Sequence, residues 1–216
     1  MKKDLTELVF ILDRSGSMSG LESDTIGGFN SMLEKQKKVD GEALVSTVIF
    51  DDMSEVIHDR RDIKTIEPLT EKEYYVRGST ALLDAVGYAI HHIGNVHKYC
   101  REEDRPENTL FVITTDGMEN ASRRFRYEDI KKMIEKQKTK YGWEFVFLGA
   151  NIDAAAEGER FGIDRNRSAC YHADAVGVAM NFDVMSDSIE QLRLNKKMSV
   201  DWNVKIDEDF KGREKK

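Results

Sequence analysis

Cysteine, proline, positive charge and long apolar runs are all in short supply in this sequence, and each shortage removes a class of protein. Cys100 and Cys170 are the only cysteines. Two thiols so far apart make neither a disulfide framework nor a zinc cluster, so both are expected to be reduced. Two prolines in 216 residues argue against long structureless linkers. No stretch approaches the ~20 apolar residues that a membrane-spanning helix needs. Thirty-three Lys and Arg against 40 Asp and Glu leave a net charge of −7, which works against general nucleic-acid binding because that binding rests on neutralising phosphates. The opening Met1-Lys2-Lys3-Asp4 has the charge of a signal peptide's start. The apolar stretch behind it, however, contains Glu7, runs into Asp13 and lacks a small-residue cleavage site. It reads as the first strand of a cytoplasmic protein.

Several catalytic signatures are missing as well. There is no Gly-x-x-x-x-Gly-Lys loop, no Gly-x-Gly-x-x-Gly after the first strand, and no Gly-x-Ser-x-Gly elbow. His91, His92 and His97 share one helical stretch without the His-x-x-x-His spacing of a zinc site.

What is present is an alternation of short apolar runs and longer amphipathic stretches. Strands are predicted at 8–12, 44–50, 55–58, 110–114, 145–148 and 169–171. The first, fourth and fifth are apolar on both faces, as in strands covered by helices on either side. Helical stripes run through Ile26, Phe29 and Leu33, through Leu82, Val86, Ile90 and Ile93, and through Ile130, Met133 or Ile134, and Tyr141. A last stripe joins Val178, Phe182, Met185, Ile189 and Leu192. Only Asp51, Asp52, Met53 and Ser54 separate strands two and three, too few for a parallel crossover, so those strands must form an antiparallel hairpin. The predicted fold is α/β: a Rossmann-like, doubly wound, mostly parallel six-stranded sheet with one antiparallel edge strand and helices on both faces. Residues 1–198 form the domain, and 199–216 read as a charged, flexible tail.

Oxygen-bearing side chains cluster where this pattern puts the ends of strands. Asp13-Arg14-Ser15-Gly16-Ser17-Met18 follows strand one, and Thr114-Thr115-Asp116-Gly117 follows strand four. Gly78-Ser79-Thr80 precedes a helix. In a sheet of order 3-2-1-4-5-6, strands one and four are neighbours at the switch point, where ligands bind. Hydroxyls and carboxylates without His or Cys suit a hard cation, and six near-octahedral oxygens suit Mg²⁺. The same residues could instead serve as turn formers, with Asp13 capping its own loop. Their position at strand ends and at a helix start favours the ion.

From about residue 7 to 195 the chain resembles a von Willebrand factor type A domain. Asp13-x-Ser15-x-Ser17, Thr80 and Asp116 match the five positions of that family's metal-ion-dependent adhesion site. The resemblance implies hydroxyl ligation by Ser15, Ser17 and Thr80, and ligation by Asp13 and Asp116 directly or through water. It also implies an open coordination position for an Asp or Glu carboxylate of a protein partner. Mg²⁺ is the expected ion, with Mn²⁺ or Ca²⁺ as alternatives. Arg14, Met18, Ser79, Gly117, Met118 and Arg123 are expected to form the partner-binding rim, and Arg123, Arg124 and Arg126 could add a positive field there. The leading expectation is a non-enzymatic, cation-dependent protein-binding module, monomeric, with neither nucleic acid nor membrane as partner. The alternative is a hydrolase or phosphotransferase using the same cation as Lewis acid, and a purely structural ion is a third reading.

Overall fold

A computed structural model describes residues 1–214. Six strands form one sheet in the order β3-β2-β1-β4-β5-β6: β1 (Lys2–Asp13), β2 (Glu42–Phe50), β3 (Ser54–Asp62), β4 (Pro106–Thr115), β5 (Glu144–Ala150) and β6 (Ser168–Tyr171). All pairings are parallel except β2 with β3. That hairpin turns through Asp51–Met53, whose ends are joined by Asp51 N–H donating to Met53 O at 2.9 Å. The α/β prediction holds, including the antiparallel strand and its place at an edge.

Alternation along β1 explains why its middle is apolar throughout. Leu8, Phe10 and Leu12 point into one core, while Val9 and Ile11 point into the other. On the first side lie α1 (Glu22–Gln36) and α5 (Ala175–Asn195). Phe29 of α1 meets Phe10 edge-on at 5.3 Å and Phe182 of α5 at 6.2 Å. On the second side lie α2 (Leu82–Tyr99), α3 (Tyr127–Tyr141) and α4 (Ala154–Phe161). Their apolar faces cover Phe111, Phe145 and Phe147. A strand buried on both faces cannot satisfy its backbone with water, so pairing within the sheet is obligatory and the strand order is strongly constrained.

The segment expected to be a flexible tail is a correction. Residues Val204–Glu214 form α6, and Met198, Trp202 and Ile206 are buried in the first core. Trp202 Nε1 donates to Asn166 O at 2.7 Å, and Arg213 pairs with Asp174 and Asp209, both at 2.5 Å. Three apolar residues spaced along a charged segment are enough to dock it once β6 offers a surface to cover. Lys215 and Lys216 lie outside the described residues. Both cysteines are unpaired. Among the described residues, no helix is long and apolar enough to cross a membrane.

Candidate metal centre

Strand β1 ends on Asp13 and strand β4 on Thr115, and the two strands run side by side with Leu12 opposite Thr114. Adjacency in the sheet is therefore what brings Asp13 and Asp116 together across about a hundred residues of chain. Asp13 is buried, with Oδ1 accepting from Ser15 N–H at 2.7 Å and Oδ2 from the Thr115 hydroxyl at 2.5 Å. Behind Ser15 the chain makes a short 3₁₀ turn, Gly16–Met18, which carries Ser17 back over the strand ends. The Ser17 hydroxyl donates to Asp116 Oδ1 at 2.5 Å. Since that commits its single proton, the 3.1 Å contact between the serine hydroxyls has Ser15 as donor.

Thr80 arrives from the loop preceding α2. Its N–H donates to Asn120 Oδ1 at 2.9 Å, and its carbonyl accepts from Asn120 N–H and Ala121 N–H. Gly117 occupies the middle of the cluster: a Cβ placed there would stand 3.2 Å from Ser17 Oγ and 3.4 Å from Thr80 Oγ1. Glycine at 117 keeps that space clear. The left-handed backbone falls on Gly78, which has φ +68°, while Gly16 stays in ordinary backbone and donates to Gly78 O at 3.1 Å.

Burial sets the electrostatics. Loss of water pushes the Asp13 carboxyl up to about 6, against the hydrogen bonds from Thr115 and Ser15, and the nearby Asp116 charge adds to the rise. Asp116 is raised from its ordinary value by the same loss of water, despite the Ser17 hydrogen bond. Its Oδ2 is buried with no hydrogen-bond partner. Two dehydrated carboxylates in one cluster, one with an orphaned oxygen, make an arrangement that a cation relieves. Three neutral hydroxyls beside them complete an all-oxygen donor set, so the residues present fit a hard divalent ion. Among the described residues, no group of three or more His, Cys, Asp and Glu side chains is placed to hold a metal.

The expected rim divides. Ser79 and Arg123 are exposed, Met118 is 61 % exposed, and Gly117 is partly exposed. Arg14 and Met18 are corrections. Arg14 is fully buried and directed away from the ligand set, and Met18 packs into the core beside Leu12 and Leu21. Asp13 and Ser15 turn towards Thr115 and Ser17, so Arg14 between them turns to the opposite side, into the protein and away from the rim. The turn at 123–125 is held by Asp84, whose carboxylate accepts from the backbone N–H groups of Arg123, Arg124 and Phe125 at 2.9–3.0 Å.

Several supporting residues gave no sequence signal. Tyr74 donates its hydroxyl to Asp13 O at 2.5 Å. Asn120 holds Thr80, and Glu119 accepts from Leu83, Ala121 and Ser122 N–H groups. Thr115 was visible only as a neighbour of Asp116. Each acts through a contact across the fold.

No protein-family model matches the sequence, and no curated protein matches it. Solved structures do. The vWF domain of the type V pili tip protein Mfa5 from Porphyromonas gingivalis superposes with TM-score 0.60 at 11 % identity, over 90 % of this chain and 98 % of that one. The von Willebrand factor type A protein from Catenulispora acidiphila matches with TM-score 0.54 at 13 % identity, over 86 % of this chain and 42 % of that one. Proximal thread matrix protein 1 from the mussel byssus, described with a zinc-occupied MIDAS motif, matches with TM-score 0.58 at 14 % identity, over 89 % and 47 %. The chain thus spans about half the length of the latter two. The fold is that of a von Willebrand factor type A domain.

Proposed function

We propose that this protein is a divalent-cation-dependent protein-binding module in which Asp13, Ser15, Ser17, Thr80 and Asp116 hold Mg²⁺, and the ion takes an Asp or Glu carboxylate from a partner. The observation that carries the reading is the orphaned, buried Asp116 Oδ2 within a cluster of oxygen side chains from three loops. The two carboxylates balance the charge of a divalent ion, and the hydroxyls fill positions without adding charge. Bound there, the ion supplies an electrophilic position for one more anionic oxygen. Ser79, Gly117, Met118 and Arg123 are the side of the partner surface that this chain contributes.

A binding module is favoured over an enzyme because histidine side chains engage elsewhere. His58 contacts Thr47, His92 Asp59, His97 Glu7, His172 Phe210, and His91 the Phe125 ring. The zinc named for the mussel protein supports divalent occupancy of such a site in general. A cytoplasmic location belongs to the same reading and is supported by the two unpaired thiols.

Calorimetric titration of Mg²⁺ into the wild type and into Asp13→Ala and Asp116→Ala tests the ligand set. Binding is expected in the wild type and lost in both variants, with folding retained because the site sits above the cores rather than within them. Unchanged affinity in both variants would rule the set out. Capture of a partner that EDTA abolishes and Mg²⁺ restores tests the carboxylate.

A further inference from the structure

Asp51 carries a set of contacts that the hairpin alone does not call for. It stands one residue beyond β2, fully buried, beside the end of β1, where Asp13 is in register with Phe50. Its Oδ2 accepts from Arg14 Nε and from Arg77 Nε, each at 2.7 Å. Its Oδ1 accepts from Met53 N–H at 2.9 Å, and its carbonyl accepts from Ala81 N–H at 2.7 Å. Arg14 lies between the candidate ligands Asp13 and Ser15. Arg77 and Ala81 bracket the loop that carries Thr80.

We propose that Asp51 is a positioning residue for the cation centre, clamping the Asp13–Ser17 loop to the Gly78–Thr80 loop through Arg14, Arg77 and Ala81. The inference rests on the metal-binding reading of those loops. Arg14 is the part that makes the clamp directional. Its Nη1 donates to Glu73 O at 2.9 Å and its Nη2 to Glu55 at 3.1 Å. Its guanidinium lies over the Tyr75 ring at 5.0 Å, and its carbonyl accepts from Arg77 N–H at 3.0 Å. With the guanidinium held on that side, the backbone has one way to present Asp13 and Ser15, on the other. Gly78 completes the join: its φ of +68° suits glycine, and a Cβ there would lie 2.4 Å from Asp52 Oδ1. The loop carrying Asp116 is attached without Asp51, through Ser17, through Thr115 to Asp13, and through Asn120 to Thr80.

A buried ion pair is weak support for stability, because desolvating the charges offsets most of their attraction. An apolar pair of the same volume would close this hairpin as well. What the charged pair adds is direction: Asp51 Oδ2 takes one N–H from each of two guanidinium groups, and the planar Arg14 guanidinium, whose other nitrogens reach Glu73 and Glu55, fixes orientation in a way that apolar packing does not. Groups that orient metal ligands without touching the metal commonly change affinity about 10–100-fold when removed.

The test compares Mg²⁺ affinity, by calorimetry with the metal alone, with thermal stability measured in EDTA. Asp51→Asn keeps the shape and the Met53 contact but removes the charge, and it is expected to weaken Mg²⁺ binding at least about tenfold. Phe161→Leu, in the core far from these loops, serves as a control that lowers the metal-free melting temperature with Mg²⁺ affinity unchanged. If Asp51→Asn lowers only the melting temperature, Asp51 is a structural residue and the clamp is wrong. Should Asp51→Asn fail to fold, Arg77→Ala decides. That side chain is 41 % exposed, its loss frees one arm of the clamp, and a several-fold weaker Mg²⁺ affinity is expected against unchanged affinity if the clamp is wrong. A wild type that binds no Mg²⁺ overturns the metal reading and the clamp with it. A wild type that binds while Asp13→Ala does not leaves the metal reading standing, whatever Asp51→Asn shows.

Discussion

Asp13 and Asp116 are carboxylates raised above their ordinary pKa by loss of water, and at Asp13 the nearby Asp116 charge adds to the rise. For Asp13 the folded value is about 6, against an ordinary 3.8. Between those values the metal-free fold holds a proton that the unfolded chain has released. Its stability therefore rises as pH falls from about 6 towards 4, and the penalty is fully present above 6. Metal binding runs the opposite way, because the ion needs the carboxylate that the proton occupies. Calorimetry at pH 7 and pH 5 is expected to show Mg²⁺ affinity about tenfold weaker at the lower pH. Affinity independent of pH over that range would mean that the ion displaces no proton from Asp13.

At the scale of elements, the loops are held by helix ends as much as by strands. The Asp84 carboxylate, one turn into α2, secures the backbone leading to α3, and Asp174 caps α5 by accepting from Gly177 N–H at 2.8 Å. Gly177 lies in the first turn of α5, where alanine would ordinarily favour the helix. Here a Cβ would meet His172 O at 2.1 Å. That atom is backbone at the end of β6, so the strand and helix would have to separate. Gly177→Ala is expected to cost about 1–3 kcal/mol in denaturant unfolding, the reverse of its propensity. A neutral or stabilised variant would show that the β6–α5 junction is loose.

Over the whole molecule, the segment after α5 closes one end of the sheet. Arg167 donates to Ser199 O and Met198 O, Trp202 anchors to Asn166, and His172 stacks on Phe210 at 4.6 Å. These contacts cover β6, which has a strand neighbour on one side only, and covering a free edge also removes a template for aggregation. Trp202→Ala is expected to lower stability by about 3–5 kcal/mol, read by denaturant unfolding. A flexible tail would leave the unfolding midpoint where it is.

The amino-acid sequence by itself determined the fold class and the five candidate ligands. Runs such as Val9-Phe10-Ile11-Leu12 specify strands buried on both faces, and the four residues between strands two and three permit nothing but a hairpin, because both constraints are local. The three oxygen-rich loops could be read off for a related reason, because the switch point of a doubly wound sheet is set by strand order and the loops sit at strand ends and a helix start; the choice of Asp13, Ser15, Ser17, Thr80 and Asp116 within them is what the family resemblance implies. Tertiary structure alone decided what supports them. Asp51, Tyr74 and Asn120 act across 26 to 61 positions of chain, distances at which no periodicity or spacing records a contact. It also reversed two readings. Arg14 turned inward because Asp51 waited beneath it, and the charged C-terminal segment became a helix because β6 offered Trp202 and Ile206 a surface. Charge and burial compete in both places, and which one prevails depends on neighbours that only the folded chain supplies.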